Sequence, residues 1–227
     1  MNKRVFFLII ALILAGTLLW AGDTAVFVDL GFSPDGRIYM FAQYGVQSGT
    51  LKPWAELYVI DVPANAFVPG GKISYVHDSP VTAGQNGSGA LYRLIARNAA
   101  LAERHGISFL RQGQPLYISL ENGVFPPGGE TIEFRDFEKG VSFKAVLSAA
   151  TETYGAKSSF HISLERSGGK SYRVGNPQIK RPNVVSYRIR KVITAPRDGA
   201  MVFVIEMKKT NPAGSADIRY MVETLRI

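Results

Sequence analysis

Residues 30–41 read Leu-Gly-Phe-Ser-Pro-Asp-Gly-Arg-Ile-Tyr-Met-Phe, LGFSPDGRIYMF. Pro34 presets φ for the second position of a turn, Asp35 can bond back to the backbone, and Gly36 accepts the left-handed conformation. That combination predicts a type I turn closing in a bulge. It joins an imperfectly alternating run at 24–32 to a run at 37–44 that is apolar on both faces, and ELYVIDV at 56–62 supplies a third strand. Strands apolar on both faces belong in the middle of a sheet.

Outward from this hairpin the pattern stays extended. Further strands are expected at 72–77, 115–120, 131–135, 141–147, 158–165, 171–174, 184–194, 200–208 and 218–227. Gly-Gly pairs at 70–71, 128–129 and 168–169 punctuate them as turns and short loops that need positive φ. One segment differs: ALYRLIARNAALAERH at 90–105 places Leu91, Leu94, Ile95, Leu101 and Ala102 near helical spacing, with Ser88 as the N-cap and Gly106 as the stop. Its Arg93, Arg97 and Arg104 read first as a solvated face with stems over apolar neighbours, and second as an anion site. No strand–helix alternation exists to build a parallel sheet. The expected fold is mainly β, with antiparallel sheets in a sandwich or partial-propeller-like arrangement, one helical insertion near 90–105, and a single domain over 22–227.

Strand, FSPDGR, apolar strand, loop and LYVID (57–61) together resemble one blade repeat of the propellers of the periplasmic TolB proteins and the prolyl oligopeptidases. A second, degenerate copy runs through VITAPRDGAMVFVI at 192–205, with IRYMV at 218–222 standing where LYVI stood. Two copies do not make a propeller, which needs at least about four blades of roughly 40–50 residues. One unit is expected to open the domain and the other to close it, with the two free to share a sheet.

The N-terminus reads as an address. Asn2-Lys3-Arg4 precedes an almost unbroken apolar run over 5–19, and Ala21 and Gly22 offer small residues for a cut, which predicts a signal peptide over 1–21. The competing reading is an uncleaved anchor, for which that run is short of the roughly 20 residues a spanning helix needs. Cysteine is absent, which removes disulfides, thiolate metal sites, cysteine catalysis and lipid attachment through an N-terminal cysteine. Hydrophobic residues at 46% exclude a disordered chain.

The leader, the segment from Gly22 to Gly71, the Arg-rich helix ending in His105-Gly106-Ile107, and the closing PRDGAMVFVIE and DIRYMVETLRI together resemble a bacterial family of predicted secreted proteins of unknown function. That resemblance implies export and a single domain. It implies no catalytic residues.

The search for chemistry agrees. His77, His105 and His161 are scattered, with no pair at metal-binding spacing. No Gly-x-Ser-x-Gly accompanies His77-Asp78. Glu130, Glu133, Asp136 and Glu138 cluster, but Arg135 and Lys139 interleave as on a solvated edge strand, and the order of a calcium loop is missing. The Gly84–Gly89 loop lacks the lysine of a phosphate-binding loop. No cofactor and no metal are indicated.

Charge is the feature that points to a partner. Residues 156–227 carry a net +9 and residues 23–155 a net −3, and such a field draws anions. Arg188, Arg190 and Lys191 in SYRIRKVIT, with Lys208, Lys209 and Arg219 from expected neighbouring strands, form the candidate anion-binding set. The expected role is a binding or structural module of the cell envelope. Its expected partners are an envelope protein or an anionic envelope surface, with membrane contact only peripheral or through an uncleaved leader and with no nucleic acid, because the chain is exported. The alternatives are an envelope hydrolase with an unrecognised site and an adaptor to anionic envelope surfaces.

Overall fold

The computed structural model describes residues 22–121, 125–152, 157–197, 199–212 and 214–227. The leader expected over 1–21 therefore lies outside the described residues. The first sheet is a meander of β1 (Val26–Phe32), β2 (Ile38–Val46), β3 (Pro53–Asp61) and β4 (Ala66–Val76) in the order β1-β2-β3-β4. Two short helices follow, α1 (Ser88–Arg97) and α2 (Ala99–Arg104).

A second sheet joins β5 (Gln114–Ile118) to β11 (Val184–Thr194), β12 (Met201–Thr210) and β13 (Ala216–Leu225), in the order β13-β12-β11-β5. A third is built from β6 (Gly129–Asp136), β7 (Val141–Thr151), β8 (Lys157–Arg166), β9 (Lys170–Val174) and the two-residue β10 (Arg181–Pro182). All pairings between these strands are antiparallel.

Side-chain alternation stacks the sheets into layers. On β12, Met201, Phe203 and Ile205 point into a core shared with Phe134, Leu147, Phe160 and Ile162 of the third sheet. Val202 and Val204 point the other way, onto Phe41, Tyr58 and Ile60 of the first sheet. The first sheet is two-sided as well: Met40, Ala42, Leu57 and Val59 face Ala90, Leu91 and Leu94 of α1. The order is thus third sheet, second sheet, first sheet, helices. The third sheet keeps a water-facing side, seen in the alternation of β6. The architecture is sandwich-like.

The opening hairpin forms as its chemistry dictates. Gly36 has φ +75°, its N–H donates to the Ser33 carbonyl at 3.0 Å, and the Ser33 hydroxyl donates to Asp35 at 2.6 Å. The later turn repeats the closure: Ala195 N–H donates to the Ala200 carbonyl at 2.7 Å, as Ser33 N–H does to Ile38 at 2.9 Å, although Asp198 lies outside the described residues. The two units do not share a sheet. They pack face to face, because each carries an apolar face that needs a partner.

Three local expectations are corrected. β4 begins at Ala66, so Gly70-Gly71 is not a turn before the strand but an irregularity within it. Gly70 has φ +72°, and a Cβ on Gly71 would stand 2.6 Å from the Val59 carbonyl oxygen. The N-cap is Gly87 rather than Ser88, with no side-chain cap bond, and position 87 excludes a side chain because a Cβ there would meet the Gly45 carbonyl oxygen at 2.5 Å. The helix also breaks at Asn98, whose side-chain amide donates to the Leu94 carbonyl at 2.8 Å and competes with the helical ladder.

Two outcomes test this packing. Removing residues 183–227 takes out the layer that both other sheets lean on, so the remainder is expected to lose cooperative unfolding in urea. An undiminished transition would contradict it. Gly36→Ala is expected to lower stability by roughly 1 kcal/mol or more in the same assay, because alanine resists positive φ.

Candidate binding cleft

Where the edges of the three sheets converge, the surface opens into a cleft of about 590 Å³, within the range of small-molecule sites. One wall belongs to the first sheet. Phe41, Tyr58 and Phe67 stack across β2, β3 and β4 with ring centroids 4.7 and 5.7 Å apart, and Lys72 stands opposite Tyr58 on the neighbouring strand. The floor comes from β12 and β13 through Met207, Lys209, Tyr220, Met221 and Val222. The other wall is the segment between β9 and β10, with Asn176, Ile179 and Arg181.

Three polar struts hold these walls. Gln43 donates to Glu56 at 2.7 Å and to the Tyr58 hydroxyl at 3.3 Å, and its oxygen accepts the Tyr220 backbone N–H at 2.7 Å. Asn65, in the β3–β4 turn at φ +48°, donates to Glu223 at 2.6 Å and accepts Thr224 N–H at 2.7 Å. The other oxygen of Glu223 meets Arg181 at 3.1 Å, so one chain of contacts ties the first sheet to the second and the second to the third. Finally, Asp23 accepts the Trp54 indole N–H at 2.6 Å and Arg219 at 2.8 Å, while the guanidinium lies 4.2 Å from the Trp54 ring centroid. Thr24 bridges Ile218 in parallel, which clips the start of the described chain onto β13.

The candidate anion-binding residues divide. Arg188 is buried and paired to Glu206 at 3.0 Å. Arg190 reaches the same carboxylate at 3.9 Å and donates to the Glu121 carbonyl at 2.9 Å. The register of β11 slips between Ile189 and Lys191, turning Lys191 toward the first sheet and Asp29, 3.6 Å away. Arg219 belongs to the Asp23 strut. Lys208 and Lys209 have no ion pair among the described residues, and Lys209 alone of the two lines the cleft.

Other candidates resolve into structure. Arg97 lies 5.1 Å from the Tyr75 ring centroid and Arg93 donates to the Tyr75 hydroxyl at 3.1 Å, so these two helix cations lie over β4. Asp136 caps the β6–β7 turn through the N–H groups of Glu138 and Lys139, and Glu130 accepts the backbone N–H of Ile189. His77 bonds the Ser79 backbone. No group of three or more metal-ligating side chains stands together among the described residues, and no described helix is long and apolar enough to cross a membrane.

The two phenols of the cleft spend their protons inside the protein, Tyr58 donating to Glu56 at 2.7 Å and Tyr220 to Glu206 at 3.4 Å. Burial, reinforced by the Glu206 charge, pushes Tyr220 up to about 12. Burial and the Glu56 charge raise Tyr58 as well. Both phenols therefore stay protonated at neutral pH.

Burial also raises the carboxyls of Asp23, Asp29, Glu130 and Glu223, against the lowering influence of their basic neighbours. Each binds its proton more tightly folded than unfolded. Its contribution is fully present below the ordinary value, 3.8 for Asp and 4.5 for Glu, and is lost as pH rises through the raised folded value. The urea midpoint is therefore expected to rise as pH falls from neutral toward that window, and Glu223→Gln is expected to flatten the rise. A midpoint that falls steadily on mild acidification would contradict this.

No curated protein and no solved structure gives a significant match. A family model does, over residues 40–226, beginning inside β2 and so leaving the SPDG turn outside the match. With most of its length covered, the chain belongs to the family described as predicted secreted protein (DUF2259).

Proposed function

We propose that this protein is an exported binding module of the cell envelope, with residues 22–227 acting as one unit and the cleft between the three sheets as its working site. The observation that carries this reading is the division of labour in the cleft. Its inner polar groups are tied to one another across the layers. At its mouth, Phe67 and Ile179 are each 51% exposed, and Lys72 and Lys209 have no ion pair among the described residues. Large apolar side chains held open beside uncompensated charge mark interaction sites. Export follows from the family; action in the periplasm or at the envelope is our reading of an exported basic protein.

Adaptor activity through the basic C-terminal third has a narrower footing. Four of its six cations are engaged with Glu206, Asp29 or Asp23, which leaves Lys208 and Lys209 for an anionic surface.

The test is a photo-crosslinking amino acid placed in turn at Phe67, at Ile179, and at Phe137, which is 82% exposed and outside the cleft. Irradiation of intact cells is expected to give a discrete adduct from 67 and 179 and none from 137. Equal labelling at all three positions, or labelling from 137 alone, would remove the cleft from the function.

A further inference from the structure

Resting on that reading, we infer that the cleft takes an amphiphilic anion: a single flexible apolar chain ending in a carboxylate or phosphate. The inference follows from what the cleft leaves unoccupied. A saccharide would need many free donors and acceptors. Gln43 and Asn65 are already committed on both their nitrogen and oxygen, Glu223 accepts from Asn65 and Arg181, and the Tyr58 hydroxyl donates to Glu56 at 2.7 Å.

An extended peptide pairing with the floor of the cleft would need the open edge of β13. That edge is closed at three places: Ile218 N–H donates to the Asp23 carbonyl, Tyr220 N–H to Gln43, and Thr224 N–H to Asn65. Adding a strand would require breaking these bonds.

What remains is apolar surface and positive charge. Phe67 from the first sheet and Ile179 from the β9–β10 segment line opposite walls, and Met207 and Met221 lie in the floor, half-buried. Methionine is unbranched and polarizable, so such a floor adapts to a flexible chain without demanding one shape. Around it stand Lys72, Arg181, Lys209 and Arg219, against Glu56 and Glu223. Arg181 is spent on Glu223 and Arg219 on Asp23. The ammonium groups of Lys72 and Lys209, contributed by two different sheets, are left to meet a negative end.

Purified full-length mature protein should be titrated calorimetrically with dodecanoate and with dodecyl phosphate, each below its micelle concentration. A neutral dodecyl glycoside, acetate and inorganic phosphate serve as controls. Both anionic chains are expected to bind at least about tenfold more tightly than the neutral one, and the small anions should not bind measurably. The better of the two headgroups distinguishes a fatty-acid source from a lipid-phosphate source. Lys72→Gln with Lys209→Gln, both away from the core, is expected to erase the preference for anions at an unchanged melting temperature. Ile179→Asp is expected to weaken every chain.

Equal affinity for the neutral glycoside would overturn the role of charge, and tight binding of inorganic phosphate would overturn the role of the apolar walls. If no chain binds while photo-crosslinking still labels 67 and 179, the ligand class is wrong and the cleft stands. If both fail, the binding reading falls as well.

Discussion

At its centre the middle sheet has no face left for water. Over residues 201–205 every side chain is buried, alternate ones entering opposite cores, and the strand is sealed between two other sheets. Burying a sheet on both sides contributes apolar area twice per strand, at about 25 cal/mol per Å² removed from water. It also forbids polar residues on either face unless they are paired. The paired exceptions are instructive. Arg188 and Glu206 are opposed across β11 and β12 and bond each other. Losing one member of such a pair typically costs about 3–5 kcal/mol, because the other charge stays buried alone.

From the same constraint comes the fate of the uneven charge. Along the chain, a mildly acidic segment precedes a strongly basic one, and sequence reading takes the basic part for an outward-facing surface. Folding lays the acidic segment against it. Asp23 meets Arg219 and Asp29 meets Lys191, each across well over half of the chain. Part of the basic charge thus serves as cohesion between layers and is withdrawn from any partner.

This also marks what the sequence could disclose. Strand positions and the two-sided character of 38–44 and 57–61 were legible because period-2 patterning is local, and the SPDG turn because its residues each have one conformational use. The boundaries of β11 were legible for the same reason. Burial of Arg188 was not, since nothing in SYRIRKVIT announces that Glu206 will stand opposite. The Gly70-Gly71 irregularity looked like a turn because both need positive φ; only the neighbouring Val59 carbonyl decides between them. The cleft was least legible of all. Gln43, Asn65, Arg181 and Glu223 are unremarkable polar residues in sequence, and they converge through contacts spanning up to 177 positions. A glutamine inside an otherwise apolar strand was the one available signal, since a buried amide must find partners somewhere.

The cleft lies where it does because stacking fails at sheet edges. Sheets twist, so stacked layers that meet well at their centres diverge at their margins. At β13 the margin of the middle sheet faces the first sheet on one side and the short β10 of the third on the other. An edge strand left open there would invite pairing with other chains. The protein closes the edge instead with Gln43, Asn65 and the Asp23 backbone, and braces the gap with Glu223 and Arg181. Those devices use up the hydrogen-bonding capacity of the cleft. Its remaining vocabulary is apolar walls and two ammonium groups, so the same residues that prevent strand addition also determine which chemistry the cleft can still recognise.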